Sequence, residues 1–530
     1  MHFDIRMPGG ITRALAVLVA GALCLSASQS PAGRTPVTDD VRAALDRISA
    51  DSLRGHLSFI ASDALEGRDT PSRGLDIAAE YIAAQFRRAG IEPAGDDGYF
   101  QTANWVLAER DMNGFDFRIY HRGRTTSVAK TEVSFSLDRD LALSRAAIVK
   151  VDYKDSAAIA ALKPERVAGK AIMTEIPDFR REDRSRWAEM FRAQNQFITR
   201  MSALKAALII SVDRAGGKGR GAGRGRLIDP ENRRPAEESP DVPLITVHDS
   251  RVAKLYDAAG AGDYVSLRVP GVIERPVKVR NCIGILRGSD PALKDSYVLV
   301  TAHYDHIGVR PEVVGDNIFN GANDDGSGTV SVIELASAIA TLKERPRRSI
   351  VFMTFFGEEK GLLGSRYYGR HPVFPIEKTV ADVNLEQVGR TDSSEGPQLS
   401  NASMTGFDYS DVGKIFKAAG EVTGIDVYKN EQNSDPFFGR SDNQALADQG
   451  VPAHTLCTAF VYPDYHGAGD HWDKIDYQNM AKVDRMVALG LIMIANSAEE
   501  PKWNEANPKA ARYLKAWKER HARSAADSRR

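Results

Sequence analysis

Beyond residue 280 the chain alternates apolar runs with helical patterns, and this alternation constrains its fold more than any other feature. Four runs are almost continuously apolar, as strands covered on both faces are: "SYVLVTAHYD", "RSIVFMTFFGEE", "VADVNLEQVG" and "PAHTLCTAF". The intervening "GTVSVIELASAIATLK" and "DVGKIFKAAGEVTG" predict helices. We therefore expect an α/β fold with a mixed, mainly parallel sheet and helices on both faces.

The rest of the chain changes texture along its length. Its 530 residues exceed what one hydrophobic core usually serves, so two or three structural units are expected. One of these is a run of short β-type segments, such as "AAIVKVDY" and "VPLITV", separated by Gly, Pro and charge. We expect a signal peptide at 1–28, the N-terminal part of the main domain at 40–140, an inserted β-rich domain at 141–272, the catalytic part at 273–500, and a charged, frayed tail at 501–530.

The N-terminus predicts export. Arg6 and Arg13 precede an apolar core from Ala14 to Leu25, and small residues suited to cleavage follow. This core has about 12 residues, short of the ~20 that span a bilayer, so a cleaved signal is favoured over an uncleaved anchor. The protein is expected to be periplasmic or secreted, where Cys282 and Cys457 form either one bridge or two free buried thiols.

Charge excludes some partners. The formal net charge is −1, so no global basic field draws the chain to nucleic acid or to an anionic membrane. We expect no nucleic-acid partner, and no membrane partner after signal cleavage. Any charged ligand must be recognised locally.

Imidazoles and carboxylates gather where the predicted strands end. They are His303 and Asp305 after the first run, Asp324 before a helix, Glu358 and Glu359 after the second run, Glu386 after the third, and His466 in a Gly-rich loop after the last. Each alone has an ordinary interpretation, such as a hydrogen-bonded histidine, an Asp-Asp-Gly turn or a solvated Glu-Glu pair. Together they lie outside the carboxyl ends of a parallel sheet, where sites form, and ligands of this kind without cysteine suit zinc.

The number of these groups suggests that some of them bind metal and one acts as a base. Five ligands can hold two ions if each ion takes one histidine and one terminal carboxylate and both share Asp324. One carboxylate then remains as a base for the attacking water. The adjacent pair of glutamates provides one ligand and one base.

The blocks that carry these residues resemble a known family. "HYDH", "GANDDGSG", "FFGEEKGLLGS", "VNLEQVGR" and "YHGAGDHWDKIDY" are similar to the signature blocks of the dizinc aminopeptidases, number twenty-eight among the metallopeptidase families. The segment "HLSFIASDALEGRDTPSRGLDIAAEYIAAQFRRAGIEP" resembles the secreted bacterial members. The inserted region resembles a protease-associated domain, a module that would cover or narrow the cleft.

The resemblance implies a role for each residue. It places His303, Asp324 and Glu386 around one zinc ion and Asp324, Glu359 and His466 around the other. It makes Glu358 the general base and Asp305 the carboxylate that orients His303. It gives Ser441 and Asp442, in "GRSDNQALADQG", roles beside the substrate or behind the ligands. Two departures are Glu386, where the family most often has Asp, and "SDN" in place of "SDH".

The expected function is therefore a zinc-dependent aminopeptidase that acts on peptides with a free N-terminus. A carboxypeptidase, a dipeptidase or a single-zinc glutaminyl cyclase would use nearly the same residues. A binding protein that kept the fold and lost the chemistry should lack a ligand or the base, and none is missing here. His306 and His471 are interpreted as pocket or surface residues, and five further histidines as structural: His56, His121, His248, His371 and His454.

Overall fold

The structure is a computed structural model that describes residues 37–136, 140–176, 187–214, 225–232, 242–258, 260, 262–311 and 313–527. The expected signal peptide at 1–28 lies outside the described residues. Among the helices within them, none combines the length and the apolar character that crossing a bilayer requires.

The described strands follow one another in this order: β1 (Glu92–Pro93), β2 (Phe100–Arg110), β3 (Asp116–His121), β4 (Arg124–Ser127), β5 (Val133–Ser136), β6 (Leu141–Lys150), β7 (Ala171–Ile176), β8 (Leu208–Asp213), β9 (Arg226–Ile228), β10 (Leu244–Val247), β11 (Tyr264–Val269), β12 (Val272–Leu286), β13 (Tyr297–His303), β14 (Gly308–Val309), β15 (Ile318–Phe319), β16 (Ser349–Phe355), β17 (Thr379–Leu385), β18 (Asp392–Ser393), β19 (Gly396–Pro397), β20 (Asn401–Met404), β21 (Asp426–Tyr428) and β22 (Ala453–Cys457).

The described α-helices are α1 (Asp39–Asp46), α2 (Ala50–Ile60), α3 (Arg73–Arg88), α4 (Ser156–Ala161), α5 (Pro164–Val167), α6 (Trp187–Ala203), α7 (Ser250–Ala258), α8 (Gly328–Ile339), α9 (Leu363–Arg370), α10 (Val412–Thr423), α11 (Asn443–Ala447), α12 (Tyr477–Asn496) and α13 (Ala511–Asp527).

The larger sheet runs β21-β20-β22-β17-β13-β16-β12-β2-β9, with β1 paired to β12. Its four central strands, β22, β17, β13 and β16, are parallel to one another. Towards β9 the pairs β16/β12, β12/β2 and β2/β9 are antiparallel. The parallel centre therefore places the carboxyl ends of β17, β13 and β16 side by side.

Helices cover both faces of this sheet, and alternation along each strand explains why. On β13, Val298 and Val300 join the core formed with α3, α8 and α12, whereas Leu299 joins the core formed with α9, α11 and α13. Successive side chains of a strand point to opposite faces, so an apolar run needs cover on both sides. The predicted α/β class, with helices on both faces, is confirmed.

A second sheet lies in the region predicted to be an insertion. Its strand order is β4-β3-β11-β6-β7-β8-β10-β5, and β6, β7, β8 and β10 are parallel. Alternate residues of β8 face two cores, one completed by α6 and the other by α7. Since this sheet starts at β3 and ends at β11, the expected boundary at 141 falls inside it. Its identity as a protease-associated domain stays a prediction.

The expectation of a frayed C-terminal tail is wrong. Trp503, Ala510 and Tyr513 are buried, and Leu514 and Trp517 pack on the core below β13 and β16. The indole Nε1 of Trp503 also donates to Gly450 O at 3.0 Å. A stripe of large apolar side chains at helical spacing thus docks α13 although most of its residues are charged or small.

Candidate metal centre

Three neighbouring strands bring the predicted ligands together. His303 is the last residue of β13, and Glu386 directly follows β17. Glu358 and Glu359 come three and four residues after the end of β16. Because β17, β13 and β16 are parallel and adjacent, these side chains meet at one edge of the sheet. Asp324 joins them from the loop that enters α8.

Two groups of potential ligands share Asp324. One group is His303, Asp324 and Glu386, whose ligand atoms lie within 4.8 Å of one another, and His303 Nε2 lies 3.3 Å from Asp324 Oδ1. On the other side, His466 Nε2 lies 3.1 Å from Asp324 Oδ2 and 3.4 Å from Glu359 Oε2. The five predicted ligands therefore converge with Asp324 between the two histidines.

The same cluster contains a histidine that the sequence analysis left without a role. His306, Asp324 and Glu359 form the second compact group, also within 4.8 Å. His306 Nδ1 lies 2.8 Å from Glu359 Oε1, and the ring is fully buried. Its interpretation as a pocket or surface residue does not describe this position, because His306 touches a predicted ligand.

Buried polar atoms test whether metal ions suit the site. His303 Nε2, Glu359 Oε1 and Glu386 Oε2 are buried, and none has a hydrogen-bond partner among the described residues. Leaving such groups unpaired costs free energy unless something else satisfies them. Imidazole and carboxylate atoms that converge in this way fit divalent ions, and zinc accepts both ligand types.

The loop that carries Asp324 is fixed by two neighbouring carboxylates. Asp470 accepts hydrogen bonds from Asn323 N at 3.0 Å and from Asp324 N at 3.1 Å. Asp325 accepts from His303 N at 3.3 Å and from Gly328 N at 2.9 Å. These contacts hold Asp324 facing both histidines at the edge of the sheet.

A buried arginine ties this loop to the loop after β13. Arg68 donates to the carbonyls of Tyr304 at 2.7 Å, Ile60 and Asn320 at 2.6 Å, and Gly321 at 2.9 Å. Its side chain is fully buried, and burial lowers the pKa of its guanidinium to about 10. Arg68 therefore links the segments on both sides of the centre and places a positive charge near its carboxylates.

Glu358 lies beside the ligands without belonging to either compact group. Its Oε2 is 3.9 Å from His303 Nε2, and its backbone N donates to Asp305 Oδ1 at 3.0 Å. The same Oδ1 is 3.5 Å from His303 Nδ1, whose hydrogen-bonding contact is with the Asp305 carbonyl at 3.2 Å. Asp305 thus contacts both the histidine ligand and the backbone of the predicted base.

The two adjacent glutamates have opposite electrostatic environments. Burial raises the pKa of Glu358 well above its usual value. Burial and Asp324 also push the pKa of Glu359 upwards, but the His306 and His466 imidazoles outweigh them and bring it to about 2. The two side chains are chemically identical, but Glu359 stays ionised whereas Glu358 holds a proton more readily.

Ser441 and Asp442 lie behind Glu386. Asn384 Nδ2 donates to Ser441 Oγ at 2.7 Å, and the Ser365 hydroxyl donates to Asp442. Burial raises the pKa of Asp442 to about 7 and that of Glu386 likewise to about 7. Ser441 also lines a cavity, whereas Asp442 is fully buried below it.

That cavity adjoins the centre and opens to solvent, and about 290 Å³ of unfilled space, part of it open solvent, lies between its walls. Its walls are Glu386, Gln387, Thr405, Phe437, Arg440, Ser441, Thr455, Cys457 and Phe460. The guanidinium of Arg440 lies 4.6 Å from the centre of the Phe437 ring. One end of the cavity is therefore acidic, and the remaining walls are largely aromatic and hydroxylic.

The other histidines lie where ordinary hydrogen bonding explains them. His471 bonds Asp316 at the surface, and His371 lies 3.0 Å from Glu231. Four more have polar partners within 3.0 Å: His56 with Tyr81, His121 with Asp263, His248 with Asp213, and His454 with Ser410. Cys282 and Cys457 are free, buried thiols.

Three residues of the site escaped sequence reasoning. His306 could have been suspected from its place three residues after His303, but its burial depends on Gly321 and Arg68, which are distant in sequence. Arg68 lies in the conspicuous "LEGRD" segment, and Asp470 lies in "HGAGDHW" beside His466. Spacing alone gave no sign that either would support the Asp324 loop.

Comparison with known proteins agrees with this fold. Residues 281–491, which carry all five predicted ligands, match the family model of peptidase family M28. Aminopeptidase YwaD of Bacillus subtilis (strain 168) is 27% identical over 229 residues, which are 42% of this chain and 46% of the relative. Residues 281–491, which are less than half of the chain, are therefore similar to peptidase family M28.

Two further comparisons bear on metal and fold. A probable zinc metalloprotease of Pyrenophora tritici-repentis (strain Pt-1C-BFP) is 35% identical over 134 residues, 24% of this chain and 30% of the relative. The solved aminopeptidase from Aneurinibacillus sp. strain AM-1 superposes with a TM-score of 0.59 at 18% identity, over 87% of this chain and 97% of that one. The first two curated relatives are matched over less than half of their own length.

Proposed function

We propose that the protein is a secreted or periplasmic aminopeptidase that binds two zinc ions and removes N-terminal residues from peptides. The observation that carries this proposal is the convergence of His303 and His466 on the two oxygens of Asp324. The match of residues 281–491 to peptidase family M28 and the zinc enzymes among the relatives support the same conclusion. A peptide with a free N-terminus is the proposed partner.

In this proposal His303, Asp324 and Glu386 hold one ion, and Asp324, Glu359 and His466 hold the other. When bound, zinc supplies Lewis acidity that polarises a peptide carbonyl and lowers the pKa of water. The protein supplies the positions of the ligands: Asp470 fixes the backbone of Asp324, and Asp305 lies against His303. These outer contacts orient ligands and tune their basicity.

Glu358 is the proposed general base. It takes a proton from the attacking water as the new carbon–oxygen bond forms, and passes that proton to the leaving amine as the carbon–nitrogen bond breaks. Burial raises the pKa of Glu358 above its usual value, which suits a group that accepts a proton and then releases it. Its position next to His303, but outside both ligand groups, supports this role.

The cavity beside Glu386 is the proposed site of the first side chain of the peptide. Phe437 and Phe460 offer apolar walls, and the acidic end formed by Glu386 suits a free ammonium group. A substrate amine held there would direct the first peptide bond towards Asp324 and Glu358. This arrangement favours an exopeptidase that starts at the N-terminus.

Metal content and substrate hydrolysis test the proposal together. Protein dialysed against buffered zinc should contain two ions per chain by elemental analysis, and it should hydrolyse aminoacyl-arylamides. An acetylated analogue of the best substrate, which lacks the free amine, should be hydrolysed far more slowly. Equal rates on both would contradict an aminopeptidase, and saturation at one ion would favour the single-zinc cyclase.

A further inference from the structure

His306 is a fully enclosed imidazole of the candidate centre. Its side chain is fully buried, whereas that of His466 is 41% exposed. Neither ring nitrogen of His306 has a hydrogen-bond partner among the described residues. Burying both nitrogens without a partner is unfavourable, so the position calls for a ligand or an ion.

The surroundings hold the ring in this position. The backbone N of His306 donates to Arg68 O at 3.2 Å, and the Arg68 guanidinium binds the carbonyls on either side. Gly321 lies against the ring, since a Cβ there would come within 2.3 Å of His306 Cγ. The ring also meets His466 edge to face, with 5.8 Å between the ring centres.

His306 lies in direct contact with a predicted metal ligand. Nδ1 approaches Glu359 Oε1 to 2.8 Å, but both atoms lack an aligned hydrogen bond. An imidazole nitrogen and a carboxylate oxygen at this distance either share a proton or bind the same cation, and the nearby Asp324 carboxylate favours the cation. The compact group formed by His306, Asp324 and Glu359 therefore has the composition of a metal site.

We propose that His306 is a sixth protein ligand of the centre and binds the same ion as Glu359, Asp324 and His466. This inference rests on the two-ion part of the proposed function. It makes the pair of ions unequal, because one has three protein ligands and the other has four. The ion with four ligands should be the more tightly held, and the ion beside Glu386 the more exchangeable.

Cadmium spectroscopy of the wild-type chain tests the ligand count without any substitution. Protein labelled with ¹⁵N in histidine and loaded with ¹¹³Cd should show one-bond cadmium coupling on three imidazoles, from His303, His306 and His466. Coupling on only two imidazoles, with two cadmium ions bound, would overturn the inference and leave the two-ion proposal intact. Binding of fewer than two ions would instead count against the proposed function itself.

Substitutions separate a ligand from a residue that only orients Glu359. His306→Gln retains an amide that can donate to Glu359 but removes the imidazole. We expect His306→Gln and His306→Ala alike to weaken one of the two ions by more than 100-fold in zinc-buffer titrations, since loss of an outer contact alone typically costs about 10 to 100-fold.

His471→Gln is the matched control, because His471 is a neighbouring histidine that bonds the exposed Asp316. It should bind both ions as the wild type does. Wild-type affinity in His306→Gln, in protein whose circular dichroism matches the wild type, would mean that His306 only positions Glu359 and would contradict its role as a ligand.

Discussion

Both sheets bring imidazoles against carboxylates, but only one leaves those groups unsatisfied. In the second sheet His121 Nδ1 meets Asp263 at 2.8 Å and His248 Nδ1 meets Asp213 at 2.8 Å, each in a hydrogen bond. In the large sheet, His303 Nε2 and Glu359 Oε1 are buried without an aligned hydrogen bond among the described residues. The residue types are the same in both sheets. The difference is whether their polar atoms are satisfied by hydrogen bonds within the protein.

This contrast shows why residue type alone identifies a site poorly. A histidine–aspartate pair that closes on itself links two strands and needs nothing more. A group of buried ligand atoms that do not hydrogen-bond to one another is satisfied only when an ion or substrate binds. What distinguishes the candidate centre from the structural pairs in the second sheet is therefore that its buried polar atoms lack hydrogen bonds, and not the number of its histidines.

The sharpest test of this contrast uses Glu358 and Glu359, which are neighbours in one turn. Glu358→Gln should retain both ions and lose on the order of 10²-fold or more in kcat, because an amide cannot accept the proton of water. Glu359→Gln should lower metal affinity, and its activity should recover in part with excess zinc. Steady-state kinetics at several buffered zinc concentrations, with elemental analysis, measure both effects.

The reverse pattern would show that the two roles are exchanged. In that case Glu358→Gln would lose metal, while Glu359→Gln would be metal-replete and inactive. The matched control is Lys360→Gln, the next residue of the same turn, whose ammonium pairs with Asp69 away from the ligands. It should leave metal content and kcat within about two-fold of wild type, since a partly exposed ion pair contributes little.

The shared position of Asp324 gives the next largest effect. Asp324→Ala should weaken both ions, because its two oxygens face different histidines. His303→Ala should mainly weaken one. Zinc-buffer titrations followed by elemental analysis should give two affected ions in the first variant and one in the second, and loss of a single ion in both would refute the bridge.

How much the sequence predicts differs between strand ends and loops. His303 and Glu386 could be placed because an apolar run ends at each of them, and parallel strands align their carboxyl ends. His466 lies in a loop with a positive φ of 54°, so only its motif indicated it. His306 and Arg68 could not be placed, because their roles depend on packing between distant segments.

The same limit applies to the rest of the fold. The α/β class followed from apolar runs that alternate with helical patterns. The docked C-terminal helix was missed because its charged residues conceal Tyr513 and Trp517, whose burial depends on a core built from other segments. The strands β3, β4 and β5 carry no pattern that tells which of two sheets they join, and pairing with β11 and β10 decides it.

Asp484 is buried but has a hydrogen-bond partner, so it tests the effect of burial alone. Replacing it should have a smaller effect than the substitutions of the candidate centre. It is a fully buried acid between α12 and α8, but both of its oxygens accept from the Ser331 hydroxyl, at 2.8 and 3.0 Å. Burial raises its pKa to about 8. The folded state thus favours the protonated form, so this residue's contribution to stability is lost as pH rises from its unfolded pKa of about 3.9 towards 8.

Asp484→Asn should therefore stabilise the protein by a few degrees in unfolding temperature at pH 8, and by less at pH 5. Thermal unfolding of both proteins in chelator, so that metal binding does not contribute, measures the difference. Ser331→Ala, which removes the hydroxyl donor, should destabilise the fold and leave the ligands of the centre in place. A difference between Asp484→Asn and wild type that does not change with pH would contradict the raised pKa.

The smallest effect is expected where the second sheet most resembles an active site. Ser134 Oγ lies 3.0 Å from His248 Nε2, and His248 Nδ1 lies 2.8 Å from Asp213, which is the bonding order of a serine hydrolase triad. Ser134 lies on β5, however, with its backbone paired to Thr246 on β10. A nucleophile must be exposed to substrate beside groups that stabilise an oxyanion, and this serine is not among the residues that line the cavity beside Glu386.

We therefore expect Ser134→Ala to keep both ions and to hydrolyse aminoacyl-arylamides within about two-fold of wild type, because its only loss is one hydrogen bond worth about 1 kcal/mol. His248→Gln should lower the unfolding temperature slightly through its broken contact with Asp213, and should likewise leave kcat unchanged. Neither the wild type nor the variants should react with a fluorophosphonate probe. Two results would contradict this: probe labelling of the wild type that disappears in Ser134→Ala, or a ten-fold fall in kcat in that variant when it is folded and metal-replete. Either would mean that Ser134, His248 and Asp213 take part in chemistry although their hydrogen bonds are satisfied. Satisfied hydrogen bonds would then not distinguish the second sheet from the candidate centre.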